Sequence, residues 1–78
     1  MDTRKIFRAS IGPMPERMGD PMPVVNVMYE DAKGEISAED LFEFFPDEVQ
    51  FTERELLGLT REGAFELKRQ KDEAWLRP

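Results

Sequence analysis

The chain has no cysteine and no histidine among its 78 residues. Without thiols there is neither a disulfide framework nor a thiolate zinc site. Without imidazole it lacks the usual general base, the usual activator of a serine nucleophile and the commonest transition-metal ligand. No apolar run approaches the roughly 20 residues that cross a bilayer. The opening MDTRKIFR is basic but has no apolar core behind it, so it is not expected to act as a secretory signal. The five glycines are scattered, which leaves no phosphate-cradling loop. A basic stripe with interleaved aromatics is also missing, and that argues against direct contact with nucleic acid. Ser10, Ser37, Tyr29 and the threonines have no base to activate them. Carboxylate pairs such as Asp47/Glu48 and Glu39/Glu43 are plentiful, but a chain this short has little volume for a catalytic cleft. The expectation is a non-catalytic protein with no cofactor and no metal, at home in a reducing cytoplasm.

What is present is acid, and it is unevenly spread. The net charge is −6, yet residues 1–29 and 56–78 each carry +1, while residues 30–55 carry −8. Such a segment is repelled by nucleic acid and anionic membranes and attracted to basic protein surfaces. Aromatic residues crowd the same region: Phe42, Phe44, Phe45 and Phe51 are four of the six phenylalanines.

The best-defined stretch is the C-terminal third. Thr52 and Glu55 have the spacing of a capping box, Gly58 supplies a left-handed exit, and Thr60 caps a longer helix over 61–76. Lys71 interrupts that helix's apolar stripe. It is expected either to lay its stem over Trp75 or Leu67, or to dock the helix on a carboxylate such as Asp47 or Glu48. Upstream, alternation predicts strands near 4–11, with Phe7, Ala9 and Ile11 on one face, and over 24–30, with Val25, Val27 and Tyr29 on one face. Asp31 and Gly34 fit a hairpin turn, and the oxygen-ligand spacing of a calcium loop is absent after Asp31. Residues 13–23 form a Pro/Met-rich loop in which Met14, Met18 and Met22 recur every four residues, an adaptable contact surface. In 38–45, Ala38, Leu41, Phe42, Phe44 and Phe45 share one face at helical spacing, with Glu39, Asp40 and Glu43 opposite and Pro46 as the stop. This predicts a short helix.

The run ELLGLTREGAFELKRQKDEAWL at 55–76, with FPDEVQF at 45–51, resembles the tail of small uncharacterised accessory proteins of phages and mobile elements. Gly63 departs from the acid expected at that capping position. The resemblance implies an inhibitor of a host defence or nucleic-acid-binding protein, in the manner of anti-CRISPR proteins and DNA mimics. It assigns no residue a role.

The expected fold is therefore a single small α+β domain over 1–78, with a two- to three-stranded antiparallel sheet packed against two or three helices, the longest C-terminal. Residues 35–36 and 49–51 are candidates for an edge strand. The expected core is Phe7, Val25, Val27, Tyr29, Leu41, Phe42, Phe45, Phe51, Leu56, Leu59, Phe65, Leu67 and Trp75. The expected partner is a protein with a basic surface, held by Asp31, Glu35, Glu39, Asp40, Glu43, Asp47 and Glu48, with neither nucleic acid nor membrane bound directly. The alternative is an accessory domain that packs on a partner, or on itself, through Met14, Met18 and Met22, its acids serving solubility alone.

Overall fold

A computed structural model describes residues 3–76. Three strands, β1 (Lys5–Gly12), β2 (Val24–Glu30) and β3 (Ile36–Glu43), form an antiparallel sheet in the order β1-β2-β3. Two helices follow, α1 (Glu53–Leu56) and α2 (Arg61–Leu76). The domain is the small α+β unit expected, with its longest helix at the C-terminal end.

Period-two alternation makes β2 the centre. Val25, Val27 and Tyr29 are all 0 % exposed and point to one side. Ile6, Ala9, Leu41, Phe44, Val49, Phe51, Leu56 and Ala64 join them in the core. Above this core, Phe51 packs against Phe42 and Phe44 with ring centroids 5.2 and 5.0 Å apart, and Phe65 of α2 lies 5.6 Å from Phe42. Tilted ring pairs of this kind contribute about 0.5–1.5 kcal/mol each beyond their burial.

The caps and the glycine exit of the C-terminal third form as expected, except that the Glu55 carboxylate accepts from the Thr52 hydroxyl at 3.0 Å instead of from Thr52 N. Thr52 Oγ1 accepts from Glu55 N at 3.3 Å, and Thr60 Oγ1 accepts from Gly63 N at 3.1 Å. Gly58 has φ +85°, a region that L side chains rarely enter, and its N–H donates to Ile6 O at 2.7 Å. Ile6 N in turn donates to Leu59 O at 2.8 Å, so the link between the helices covers part of the outer edge of β1. At the β2–β3 hairpin, Gly34 has φ +84°, and Asp31 Oδ1 accepts from the N–H groups of Lys33 and Glu35 at 2.8 and 2.9 Å.

Three expectations give way. Residues 38–45 are not a helix: Ile36–Glu43 is β3, and Phe44 and Phe45 continue as coil. The hairpin at Asp31–Gly34 returns the chain antiparallel beside β2, whose second edge would otherwise leave buried N–H and C=O groups unpaired. Residues 49–51 form no strand, although Val49 and Phe51 are buried. The third correction concerns the core. Between Ile6 and Arg8 the register shifts, leaving Phe7 as the extra residue of a bulge. Ile6 and Ala9 therefore share the inner face and Phe7 is 40 % exposed. Phe45 and Trp75, also expected inside, are 57 % and 52 % exposed. Phe42, Leu59, Phe65 and Leu67 are half-buried against the core.

Candidate interaction surface

Strand alternation redistributes the acidic segment. On a helix, Glu39, Asp40 and Glu43 would have shared a face. On β3, Glu39 turns inward while Asp40 turns out opposite Asn26. A second register shift, between Val25 and Asn26, sets both Leu41 and Phe42 against Val25, so Glu43, opposite Val24, returns to the outer side with Asp40. Asp40 Oδ1 there accepts from Asn26 Nδ2 at 2.7 Å.

Three of the ten carboxylates in 30–55 are consumed by the fold. Asp31 builds the hairpin. Glu39 Oε1 accepts from the hydroxyl of Tyr29 at 3.0 Å and from Arg61 Nε at 2.8 Å, tying β2, β3 and α2 together. Arg4 lies 4.5 Å from the centroid of the Tyr29 ring, and its Nη1 donates to Ser37 Oγ at 2.8 Å. Burial, then the hydrogen bond to Glu39 and its negative charge, push the Tyr29 phenol well above the ordinary tyrosine range. Glu55 is the third: its Oε1 meets Lys71 Nζ at 2.7 Å, as a charge contact without well-aligned hydrogen-bond geometry.

Lys71 thus does dock α2 on an acid of the middle segment, but on Glu55 rather than on Asp47 or Glu48. Its ammonium also donates to Gln50 O at 2.6 Å and lies 4.9 Å from the centroid of Phe51. Lys68, one turn earlier, bonds Asp72 at 2.6 Å and lies 5.8 Å from the centroid of Phe42. The stripe that α2 lays on the aromatic cluster is therefore partly made of two lysines.

The other seven are different. Glu30, Glu35, Asp40, Glu43, Asp47, Glu48 and Glu53 are exposed, and none of them makes an ion pair among the described residues. Glu35 stands at the hairpin end of β3. Asp40, Glu43, Asp47 and Glu48 run from the outer side of β3 into the turn after it, where Glu48 N and Val49 N both donate to Phe45 O at 3.0 Å. This flank leads into a groove of about 320 Å³ between that turn and the last turns of α2. Met22, Phe45, Val49, Trp75 and Leu76 supply its apolar lining, and Glu43 and Glu48 stand at its rim beside the Lys68–Asp72 pair. A second depression of about 340 Å³ shares Glu48, Val49 and Trp75. The sequence reading placed Phe45 and Trp75 in the core and so missed the groove. No local signal marked it: that Ala64, in the first turn, is the sole buried residue of α2 and that Trp75 stays exposed follow from packing.

The methionines divide. Met14 and Met18 are exposed, Met18 fully, at a loop pinned by Asp20 Oδ2, which accepts from Glu16 N and Arg17 N at 3.0 and 2.9 Å. Met22 is half-buried and belongs to the groove. Among the described residues there is no cluster of three or more acids arranged to hold a metal ion, and no helix is long and apolar enough to cross a membrane. Comparison with protein-family profiles, curated proteins and solved structures finds no significant match in any of the three.

Proposed function

We propose that this chain is a non-catalytic protein-binding factor that docks the outer flank of β3 and the turn after it on a basic surface of a partner, and that docking is inhibitory because it occupies ground a nucleic-acid backbone would take. The observation that carries the reading is the set of four carboxylates successive in the chain, Asp40, Glu43, Asp47 and Glu48, that no cation among the described residues pairs with. The acids that do structural work are paired or hydrogen-bonded, whereas Glu43, Asp47 and Glu48 make neither kind of contact among the described residues. Carboxylates gathered on one side raise the local negative potential and steer a basic partner toward it. The resemblance of residues 55–76 to phage and mobile-element accessory proteins supports a target among host defence or nucleic-acid-binding proteins, met in the cytoplasm.

The test is capture of partners from a host lysate on the immobilised chain, at low and high salt, with and without duplex DNA as competitor. The reading requires a partner that is retained at low salt, released at high salt and displaced by DNA. A partner indifferent to both salt and DNA contradicts it. Full exposure of Met18 favours a second reading, in which the 13–23 loop is the contact. Changing Met14 and Met18 to Ser then abolishes a capture that salt leaves unchanged.

A further inference from the structure

The groove beside Trp75 sits where the acidic flank ends, and it has a specific chemistry. Its lining is aromatic and aliphatic, with Phe45 57 %, Trp75 52 % and Leu76 77 % exposed. Three carboxylates and one ammonium line it, Glu43, Glu48, Asp72 and Lys68, for a net charge of −2. Lys68 is bonded to Asp72, so among the described residues the uncompensated charge belongs to Glu43 and Glu48. An aliphatic occupant would satisfy the lining and leave those carboxylates beside an apolar surface. A lysine ammonium would answer the charge but is a compact, strongly hydrated ion. Guanidinium alone combines a flat face that stacks on an indole with a fork of N–H donors that matches carboxylates.

Building on the acidic-surface reading, we propose that this groove takes an arginine side chain from a basic segment of the partner protein. The guanidinium lies against Trp75 within reach of Glu43 and Glu48, and an apolar neighbour of that arginine rests on Phe45 and Leu76. Arginine and tryptophan are enriched where interfaces concentrate their binding energy, so the groove is the anchor and the rest of the flank steers. The two depressions that share Trp75 and Glu48 give the partner segment a path across the indole.

Trp75 is the only tryptophan in the chain, so its fluorescence reports the groove directly. The intact protein is titrated with three capped pentapeptides: alternating Leu and Arg, alternating Leu and citrulline (the neutral isostere of arginine), and alternating Gly and Arg. Saturable change with the Leu/Arg peptide is expected, weakened at least ten-fold by citrulline, by glycine, and in a Glu43→Gln, Glu48→Gln variant whose circular dichroism is unchanged. Equal response to Leu/citrulline, or equal response to Gly/Arg, overturns the proposal. So does a change in fluorescence that follows protein concentration alone, which marks a second copy of the chain as the occupant. A Leu/Arg peptide that fails while partner capture still depends on Asp40 and Asp47 removes the arginine anchor and keeps the acidic surface. A peptide that binds while capture ignores salt removes the acidic surface instead.

Discussion

In the turn before β3, Asp31 accepts two backbone N–H bonds within its own hairpin, and at the fourth residue of the strand Glu39 is clasped by Tyr29 and Arg61. At the end of the same strand and in the turn after it, Glu43, Asp47 and Glu48 have no hydrogen bond or ion pair among the described residues, and Glu43 and Glu48 line a groove with the exposed Phe45 and Trp75. The residue types are the same and lie within one short stretch, so composition does not separate them. What separates them is whether the fold supplies a partner. A carboxylate that joins three elements stabilises the domain. One without an ion pair or hydrogen bond adds little to stability, and in the reading proposed above it meets a basic surface in a complex.

The comparison breaks most sharply at Glu39. Glu39→Ala leaves the buried Tyr29 hydroxyl without its acceptor and frees Arg61, at an expected cost of about 1–3 kcal/mol, read by urea unfolding. If Tyr29→Phe, Glu39→Ala and the double variant cost the same, the hydroxyl and carboxylate act as one unit; simple additivity contradicts that coupling. Asp31→Ala comes next, at about 1 kcal/mol, because water can replace part of an exposed turn's bonding. On the other side of the divide, Glu43→Gln with Glu48→Gln is expected to shift stability by no more than about 0.5 kcal/mol. A large loss there would make those two acids structural and erase the distinction.

Alkali sharpens the same contrast. The folded-state pKa of Tyr29 is raised, so its contribution is fully present below the ordinary tyrosine pKa of about 10 and is lost as pH rises through the folded value. With one tyrosine in the chain, phenolate absorbance follows this group alone. Glu39→Gln is expected to move the titration part of the way back, because burial, the larger cause, remains. At the opposite end of the scale, hydrogen bonding from Arg69 holds the exposed Glu66 carboxyl below its usual range. That contribution exists above the ordinary carboxylate pKa and disappears as acid reaches the depressed value. It is a surface effect on α2, set by Arg69 forking to Glu66 and Glu73, and salt should screen it.

Much of this fold can be read from residues alone. Thr52, Gly58 and Thr60 announce α1, its exit and α2 because caps and left-handed exits depend on a few neighbouring atoms. Val25, Val27 and Tyr29 announce β2 because their alternation is strict. Strand β3 stays hidden because two of its inward positions, Ser37 and Glu39, are polar and find partners at Arg4, Tyr29 and Arg61, residues distant in sequence. With those positions polar, the remaining apolar residues fall on a helical period by coincidence. Phe7 misleads for a different reason: a bulge reverses the phase of alternation, and nothing local in KIFRASI marks it. The acids were visible as a group, but their division into inward and outward sets follows from strand pairing. The groove follows from how the last turns of α2 meet the turn after β3, and Trp75 looks like a core residue until the neighbours it lacks are known.

The most direct measurement compares the captured partner's affinity for the unaltered chain and for a variant carrying Asp40→Asn, Glu43→Gln, Asp47→Asn and Glu48→Gln, across a series of salt concentrations. The account predicts that the variant unfolds at the same denaturant concentration as the unaltered chain, binds at least about ten-fold more weakly at low salt, and shows a much shallower dependence of affinity on salt. Equal affinity and an equal salt slope for the two proteins would contradict it.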